Sequence, residues 1–533
     1  MPPPARSARS PFTSKPTALA FVADFARQFP DRVAVVMNGD GAKITYSELD
    51  VRSVRIANSL ARAGMGFGSA VGVLLENAIH TYEVMWACQR SGIRYTPLNT
   101  RLTVEEIAYI LNDCGAEIFI TSPKFAAVAL EVARLTPNVR RRFCVSGSID
   151  GHEDLDAVAS TMSDAPEYEE LEGHPMMYSS GTTGKPKGVK RGHTRAPAGS
   201  ASPIGVFMTT PMAYDEQTVY LNPAPLYHAA PMGWSMAVHR YGGTVVCMDH
   251  FNEVDALQLI EKHGVTHAQF VPTMFVRMLK LPPSERENFD LSSLRAVVHA
   301  AAPCPVEVKR QMIEWWGNII YEYCAATEGH GITWIGPEEW LAHPGSVGKP
   351  LLGEIHICAD DLSELPRGEI GVIWFGGVPV QLEYHNDPAK TAESTHPKGW
   401  LTVWDMGWVD DDGYLYLTDR KSHMIISGGV NIYPQESEDL LIAHPMVADA
   451  AVIGVPDEEM GEQVKGVVIL ADPSKASPEV ERELIDYLKT RLASYKCPKS
   501  IDFVTELPRQ ENGKLIKRAL RDRYWSAKGS RII

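Results

Sequence analysis

Tyr178-Ser179-Ser180-Gly181-Thr182-Thr183-Gly184-Lys185-Pro186-Lys187-Gly188-Val189 packs two serines, two threonines, three glycines and two lysines into twelve residues. Such a segment is a poor core element and a good anion cradle. Glycines let backbone N–H groups turn toward a ligand, hydroxyls add donors, and lysines add charge. It is not the P-loop signature: Ser179 stands where the first glycine is needed, and Pro186 where the magnesium-binding hydroxyl is needed. Taken alone, the stretch also reads as a flexible surface turn.

Around it lies a chain of 533 residues, long enough for several domains or for one large domain with a small one. Hydrophobic residues make up 44% and charged residues 22%, the balance of a soluble globular protein. A net charge of −15 argues against a nucleic-acid surface, which needs a basic stripe. The eight cysteines include no C-x-x-C pair, which argues against zinc or a disulfide framework and fits a reducing, cytoplasmic location. No apolar run approaches the ~18 residues of a membrane span. The stretch Met1 to Lys15 is rich in Pro, Ser and Arg and reads as a disordered tail, with a transit peptide as the alternative.

Strands alternate with helices through most of the chain. Thr45 to Glu48 and Thr103 to Glu106 are capping boxes ahead of amphipathic helices, and Gly64 is a stop for the first. Val71 to Leu75, Ile118 to Thr121, Ala268 to Val271, Leu294 to Val298 and Asn318 to Tyr321 read as short strands. Helices are predicted at Leu257 to His263 and Val306 to Trp315. This order implies an α/β fold with parallel-rich sheets covered by helices. After Trp400 the texture changes to short alternating strands around the acidic turn Asp410 to Gly413. A compact section then carries helices at Pro434 to Ile442 and Pro478 to Leu492, with strands at Ala450 to Val455 and Val464 to Leu470. The expected division is a large domain over 1–421 and a small one over 422–533.

The opening segment resembles the phosphate loop of the adenylate-forming enzymes, the acyl-CoA synthetases, adenylation domains and luciferases. Further segments match that family in its chain order, from about residue 20 to 522. The resemblance implies a large domain of parallel-rich sheets with a β-barrel-like part, and a small mobile α+β C-terminal domain. It implies that Ser179, Ser180, Gly181, Thr182, Thr183, Gly184, Lys185 and Lys187 cradle ATP phosphates. Ala325-Ala326-Thr327-Glu328-Gly329 is similar to the Tyr-Gly-x-Thr-Glu segment, in which the threonine meets the α-phosphate and the glutamate holds Mg2+. Here Cys324 replaces the tyrosine that stacks on adenine and Ala325 replaces the glycine, so stacking is lost unless Tyr323 substitutes. Ala301 and Ala302 would press bare backbone against adenine.

Thr402-Val403-Trp404-Asp405 resembles the segment whose aspartate takes the ribose hydroxyls, and Arg420 would supply a second ribose contact. Ser422 stands at the hinge, where the family often has Asp or Lys. His423 stands where many members have Asp. Pro508 to Lys514 resembles the loop bearing the adenylation lysine, and Asn512-Gly513 is a turn expected to push Lys514 outward. The basic run Arg509 to Arg523 otherwise reads as solvated surface. Ser427-Gly428-Gly429 resembles the loop that admits the pantetheine arm of coenzyme A. Pro225 to Pro231 resembles an aromatic-His segment, so His228 would sit beside the substrate carboxylate, with Met232, Trp234, Met274 and His299 lining an acyl slot.

The implied activity is an ATP-dependent carboxylate–CoA ligase that uses Mg2+, ATP and coenzyme A. It would form an acyl-AMP and then a thioester, releasing AMP and pyrophosphate. The segments around Trp340 and Ile425 look most like bacterial fatty-acyl and aryl-CoA synthetases. A fatty acid is the preferred reading; the methionine-rich lining is adaptable and would fit aromatic rings too. A hydroxycinnamate-type acid such as ferulate is the alternative, as is a free-standing enzyme that loads a carrier protein. A nucleotide-binding protein that has lost catalysis is the reading from another class. The expected partners are small molecules and a second copy of the chain in a homodimer, with no nucleic acid and no integral membrane segment.

Overall fold

The computed structural model describes residues 21–179, 186–190, 192–200, 205, 209–378, 382–510 and 513–525. The chain forms two compact units. The first takes the chain up to Tyr178, then His193–His250 and Lys262–Ala268; the second takes Ser179–Gly192, Phe251–Glu261 and the chain from Gln269 on.

In the first unit a six-stranded parallel sheet runs in the order Glu153–Asp154, Arg141–Cys144, Ile118–Thr121, Ala70–Leu74, Arg94–Pro97, His174–Pro175. All five residues of Ala70–Leu74 are buried, as a central strand covered on both faces requires. Both expected capping boxes form. Thr45 starts the helix Tyr46–Arg62, with the Thr45 N–H donating to Glu48 Oε2 at 2.9 Å; Thr103 starts Val104–Asp113 with Glu106 in the same role. Gly64 follows the first helix at φ +87°, a left-handed backbone that glycine adopts without strain. A second set of parallel strands, Val219–Asn222, Thr244–Cys247 and Val33–Met37, carries Lys43–Thr45 antiparallel at its edge.

The second unit contains a mostly antiparallel sheet. Ala296–His299 pairs in parallel with Ile320–Ala325. Antiparallel pairing then continues through Ile332–Ile335, Ser346–Leu352, Leu415–Arg420, Asp405–Val409, Gly371–Gly376 and Glu354–Cys358. The strand expected to stop at Tyr321 runs on through Cys324 and Ala325, because Ile332–Ile335 folds back and completes its ladder. The acidic turn appears as expected, with Gly413 at φ +87° between Asp405–Val409 and Leu415–Arg420.

The C-terminal domain of this unit has its own core. Val447–Asp457 and Gly461–Leu470 form a long antiparallel pair, joined by Ser500–Phe503 and the hairpin Ile425–Ser427/Val430–Ile432. The helices Gln435–Ala443 and Pro478–Lys489 contribute Leu441, Leu484 and Leu488 to a cluster with Val452, Val468 and Ile501. Ser477 caps the second helix and Pro478 occupies its first turn, where a missing N–H costs nothing.

Candidate active site

The site in the second unit is assembled from strand ends. Leaving Ile320–Ala325, the chain turns at Ala326, where the Gly329 N–H donates to the Ala326 carbonyl at 2.9 Å. The turn buries Glu328, whose carboxylate accepts a hydrogen bond from Tyr384 Oη at 3.2 Å. Tyr384 lies on the short strand Glu383–Tyr384, which pairs with Lys187–Lys190 at the exit of the phosphate-loop segment. Lys187 ion-pairs with Asp387 (2.8 Å) and Lys190 with Glu383 (2.9 Å). Ser179 ends the strand Met177–Ser179; Ser180, Gly181, Thr182, Thr183, Gly184 and Lys185 lie outside the described residues.

Asp405 and Arg420 face each other directly in the antiparallel ladder, with Arg420 Nε 3.1 Å from Asp405 Oδ1. Asp405 chiefly, against the cost of burial and with help from Glu328, raises the pKa of Arg420. The residue before the aspartate is Trp404 at φ +66°, a left-handed conformation that costs a bulky side chain of order 1–3 kcal/mol. Its ring is held edge-on to Trp374 and under the ammonium groups of Lys390 and Lys421.

Lys514 reaches the same group of charges. The turn does reverse the chain, with Gly513 at φ +78° donating to the Gln510 carbonyl at 2.8 Å. Yet Lys514 is not pushed outward: it is half-buried, in the field of Glu328, Asp405 and Arg420. Burial first, and then the Arg420 charge, lower its pKa to about 8, against the pull of Glu328 and Asp405. The two carboxylates keep a cation there despite its desolvation. Nor is the basic run from Arg509 plain solvated surface. Arg509 grips Asp449 through two contacts of 2.6 and 2.7 Å, and buried Lys517 lies 2.9 Å from Glu438 and 3.4 Å from Asp419. Burial disfavours ionised Asp419, but Lys517 and His423 outweigh it and lower its pKa to about 2. His423 Nδ1 stands 3.0 Å from Asp419 Oδ1, and Ser422 is exposed between His423 and Lys421.

Cys324 and Tyr323 occupy opposite faces of their strand, since successive side chains alternate. Tyr323 is buried, its hydroxyl accepts from Gln269 Nε2 at 3.1 Å, and its ring stacks beside Trp334, its cross-strand partner. Cys324 packs beside the Val347, Ile373 and Leu415 cluster. Burial, followed by the charge of Asp405, pushes its thiol pKa well up. Tyr323 therefore does not present its ring where Cys324 stands. Ala325 ends the strand, and Ala301, exposed at φ +77°, leads to Ala302 in the turn after Ala296–His299.

His299 has a setting that the acyl-slot expectation does not describe. It is fully buried, with Nε2 3.4 Å from Glu322 Oε2, and the same oxygen lies 2.6 Å from Lys309 Nζ. Burial and the neighbouring ammonium push its pKa far down, so it is neutral. Lys309 and Glu322 escaped notice in the sequence, although Lys309 sits at apolar spacing with Met312, Ile313 and Trp316 on the helix Val306–Trp316. Tyr384, Asp387, Asp419 and Lys517 were missed too, as nothing local marks a cross-chain partner. Met274 is buried in the helix Pro272–Leu279.

In the first unit, His228 is the N-cap residue of the helix Ala229–His239, with the Tyr227 ring 4.5 Å away. Met232 and Trp234 are buried on that helix, Trp234 edge-to-face with Tyr214. In the C-terminal domain, Ser427, Gly428 and Gly429 form a hairpin tip, with both glycines at positive φ and Ile426 and Val430 exposed beside it.

A cation in the field of two carboxylates and an arginine is an arrangement that suits a nucleotide polyphosphate. Comparison with known proteins agrees. The AMP-binding enzyme family model matches residues 22–385, and that of the AMP-binding enzyme C-terminal domain matches 436–514. The chain therefore belongs to the AMP-binding enzymes. A feruloyl-CoA synthase of Amycolatopsis sp is 34% identical over 511 residues, covering 94% of this chain and 97% of that protein. A fatty acid–[acyl-carrier-protein] ligase of Streptomyces coeruleorubidus is 31% identical over 506 residues, covering 92% and 94%. Among solved structures, an anthranilate CoA ligase in complex with anthranoyl-AMP superposes with a TM-score of 0.82 at 26% identity, covering 97% of this chain and 99% of that one. The enzyme is thus an AMP-forming acid–thiol ligase that works through an acyl-AMP. No helix among the described residues is long and apolar enough to cross a membrane.

Proposed function

We propose that the enzyme joins a fatty acid to coenzyme A, with the residues above in specific roles. The observation that carries the assignment is Lys514, kept in the field of Glu328, Asp405 and Arg420 despite its burial. Asp405 holds the ribose hydroxyls and Arg420 backs it across the ladder. Backbone at Ala301 and Ala302 meets the adenine face. Ser179 to Lys187 cradle the phosphates, and Lys187 exchanges Asp387 for phosphate oxygen. Thr327 donates to the α-phosphate. Lys514 stabilises the negative charge that builds as the carboxylate attacks and pyrophosphate leaves; removing such a group costs on the order of 10²–10³ in rate.

Mg2+ fits Glu328. Among the described residues no group of three ligating side chains could cage a metal, and Mg2+ is ordinarily held by one or two carboxylates together with substrate phosphates. When bound it would neutralise phosphate charge. His228, Met232 and Trp234 of the first unit, and Met274 of the second, keep the acid-binding roles that the family resemblance implies. The domain boundary is at 421/422. After acyl-AMP forms, the C-terminal domain turns about Ser422, withdraws Lys514, and brings the Ser427-Gly428-Gly429 tip forward for the thiol. The same reading takes the enzyme to be a cytoplasmic homodimer.

A second reading, an aryl acid, is favoured by the likeness to the feruloyl-CoA synthase and the anthranilate CoA ligase. The test is carboxylate-dependent pyrophosphate release with MgATP over straight-chain fatty acids and hydroxycinnamates, with and without coenzyme A. Preference for fatty acids with a CoA thioester product supports the proposal. Preference for hydroxycinnamates replaces it with the aryl reading. Pyrophosphate without CoA product points to a carrier-protein acceptor, and no release with any acid removes the ligase assignment.

A further inference from the structure

We infer that Lys280 is a positioning residue for the acyl-adenylate step, seating the part of the C-terminal domain that delivers Lys514. The helix Pro272–Leu279 touches that domain at both ends. At its start, Thr273 lies against Gly513 so closely that a Cβ there would stand 2.3 Å from Thr273 Oγ1. At its end, the Lys280 ammonium donates to the carbonyls of Val447 and of Ala448, the latter at 2.9 Å. These two residues begin the strand Val447–Asp457, and the next one, Asp449, holds Arg509 bidentately. Arg509 in turn donates to the Gly513 carbonyl at 2.8 Å, next to Lys514.

A continuous path of charge-assisted hydrogen bonds thus runs from Lys280 to the loop bearing the adenylation lysine. An eight-residue helix is about 12 Å long, so the loop is located by two points well apart rather than by one. An ammonium facing two neutral carbonyls gives up much of its hydration, and burial accordingly pulls the pKa of Lys280 down to about 8, opposed by Asp449. Such a charge adds little as packing. It does fix an orientation, because two of its three N–H donors must meet two fixed carbonyls. The contact is made in the arrangement that sets Lys514 in the field of Glu328 and Asp405, so it favours that arrangement over the one proposed for thiol transfer.

This inference rests on the proposed role of Lys514 and on rotation of the C-terminal domain. The test compares full-length wild type, Lys280→Met, Lys280→Arg, Gly513→Ala and Lys514→Ala. It reads ATP–pyrophosphate exchange, thioester formation from supplied acyl-AMP, and thermal midpoint. Losing charge-assisted hydrogen bonds predicts roughly 10- to 100-fold slower exchange in Lys280→Met, with unchanged KM for ATP and unimpaired thioester formation. Lys280→Arg should restore most of the rate, and Gly513→Ala should show the same selective loss without touching Lys280. Wild-type exchange in Lys280→Met, or equal loss of both half-reactions at an unchanged midpoint, overturns the inference while leaving the role of Lys514 standing. Normal exchange in Lys514→Ala removes that role, and the inference with it.

Discussion

Replacing Cys324 by tyrosine should tighten ATP binding. On the proposed placement of adenine the thiol stands where a stacking ring would meet the base, with Asp405 and Arg420 within electrostatic reach. Tyr323 cannot serve instead, because it points to the other face and is held by Gln269 and Trp334. Stacking of a base on an aromatic ring contributes about 1–3 kcal/mol, or roughly 5- to 150-fold in affinity. Against this stands overpacking where Cys324 meets Val347, Ile373 and Leu415, typically about 1–3 kcal/mol. That cost falls on stability and appears in the thermal midpoint, whereas the stacking gain appears only with nucleotide. The assay is the dissociation constant for ATP by calorimetry, beside KM for ATP in pyrophosphate release. Tyr323→Phe is the control and should leave ATP affinity unchanged. If a folded Cys324→Tyr binds ATP no better, or if Tyr323→Phe weakens binding tenfold, the placement of adenine is wrong.

Two more outcomes follow from the charges. With the Lys514 pKa lowered to about 8, the ammonium is present below that pH and is lost as pH rises through it. For the acyl-AMP step, kcat/KM for ATP should therefore fall about tenfold per unit above pH 8, while thioester formation from supplied acyl-AMP shows no such limb. A shared limb, or none, refutes the assignment. Lys309→Met leaves Glu322 buried without its partner 2.6 Å away. It should cost about 3–5 kcal/mol in denaturant unfolding, most of it recovered by adding Glu322→Gln; a loss under about 1 kcal/mol would show that the pair carries little.

Much of the chemistry is local and was legible in the residues alone. Capping boxes at Thr45 and Thr103 and the turn at Gly413 depend on side chains a few positions apart, so spacing suffices to find them. The order of motifs likewise pointed to Glu328, Asp405, Arg420 and Lys514, because one chemistry needs all four. What spacing could not say is which residues meet across the sheet. The register that sets Asp405 opposite Arg420 comes from a ladder. The inward course of Lys514 comes from carboxylates contributed by distant strands, and the alternation of Tyr323 and Cys324 becomes decisive only when Gln269 and Trp334 show which face is which. His299 was read as a pocket residue and Lys309 was not singled out, and folding made them part of one buried cluster with Glu322. Local structure follows from short-range sterics and hydrogen bonds, whereas pairing of charges over a hundred residues or more exists only once packing has excluded water and brought the strands together.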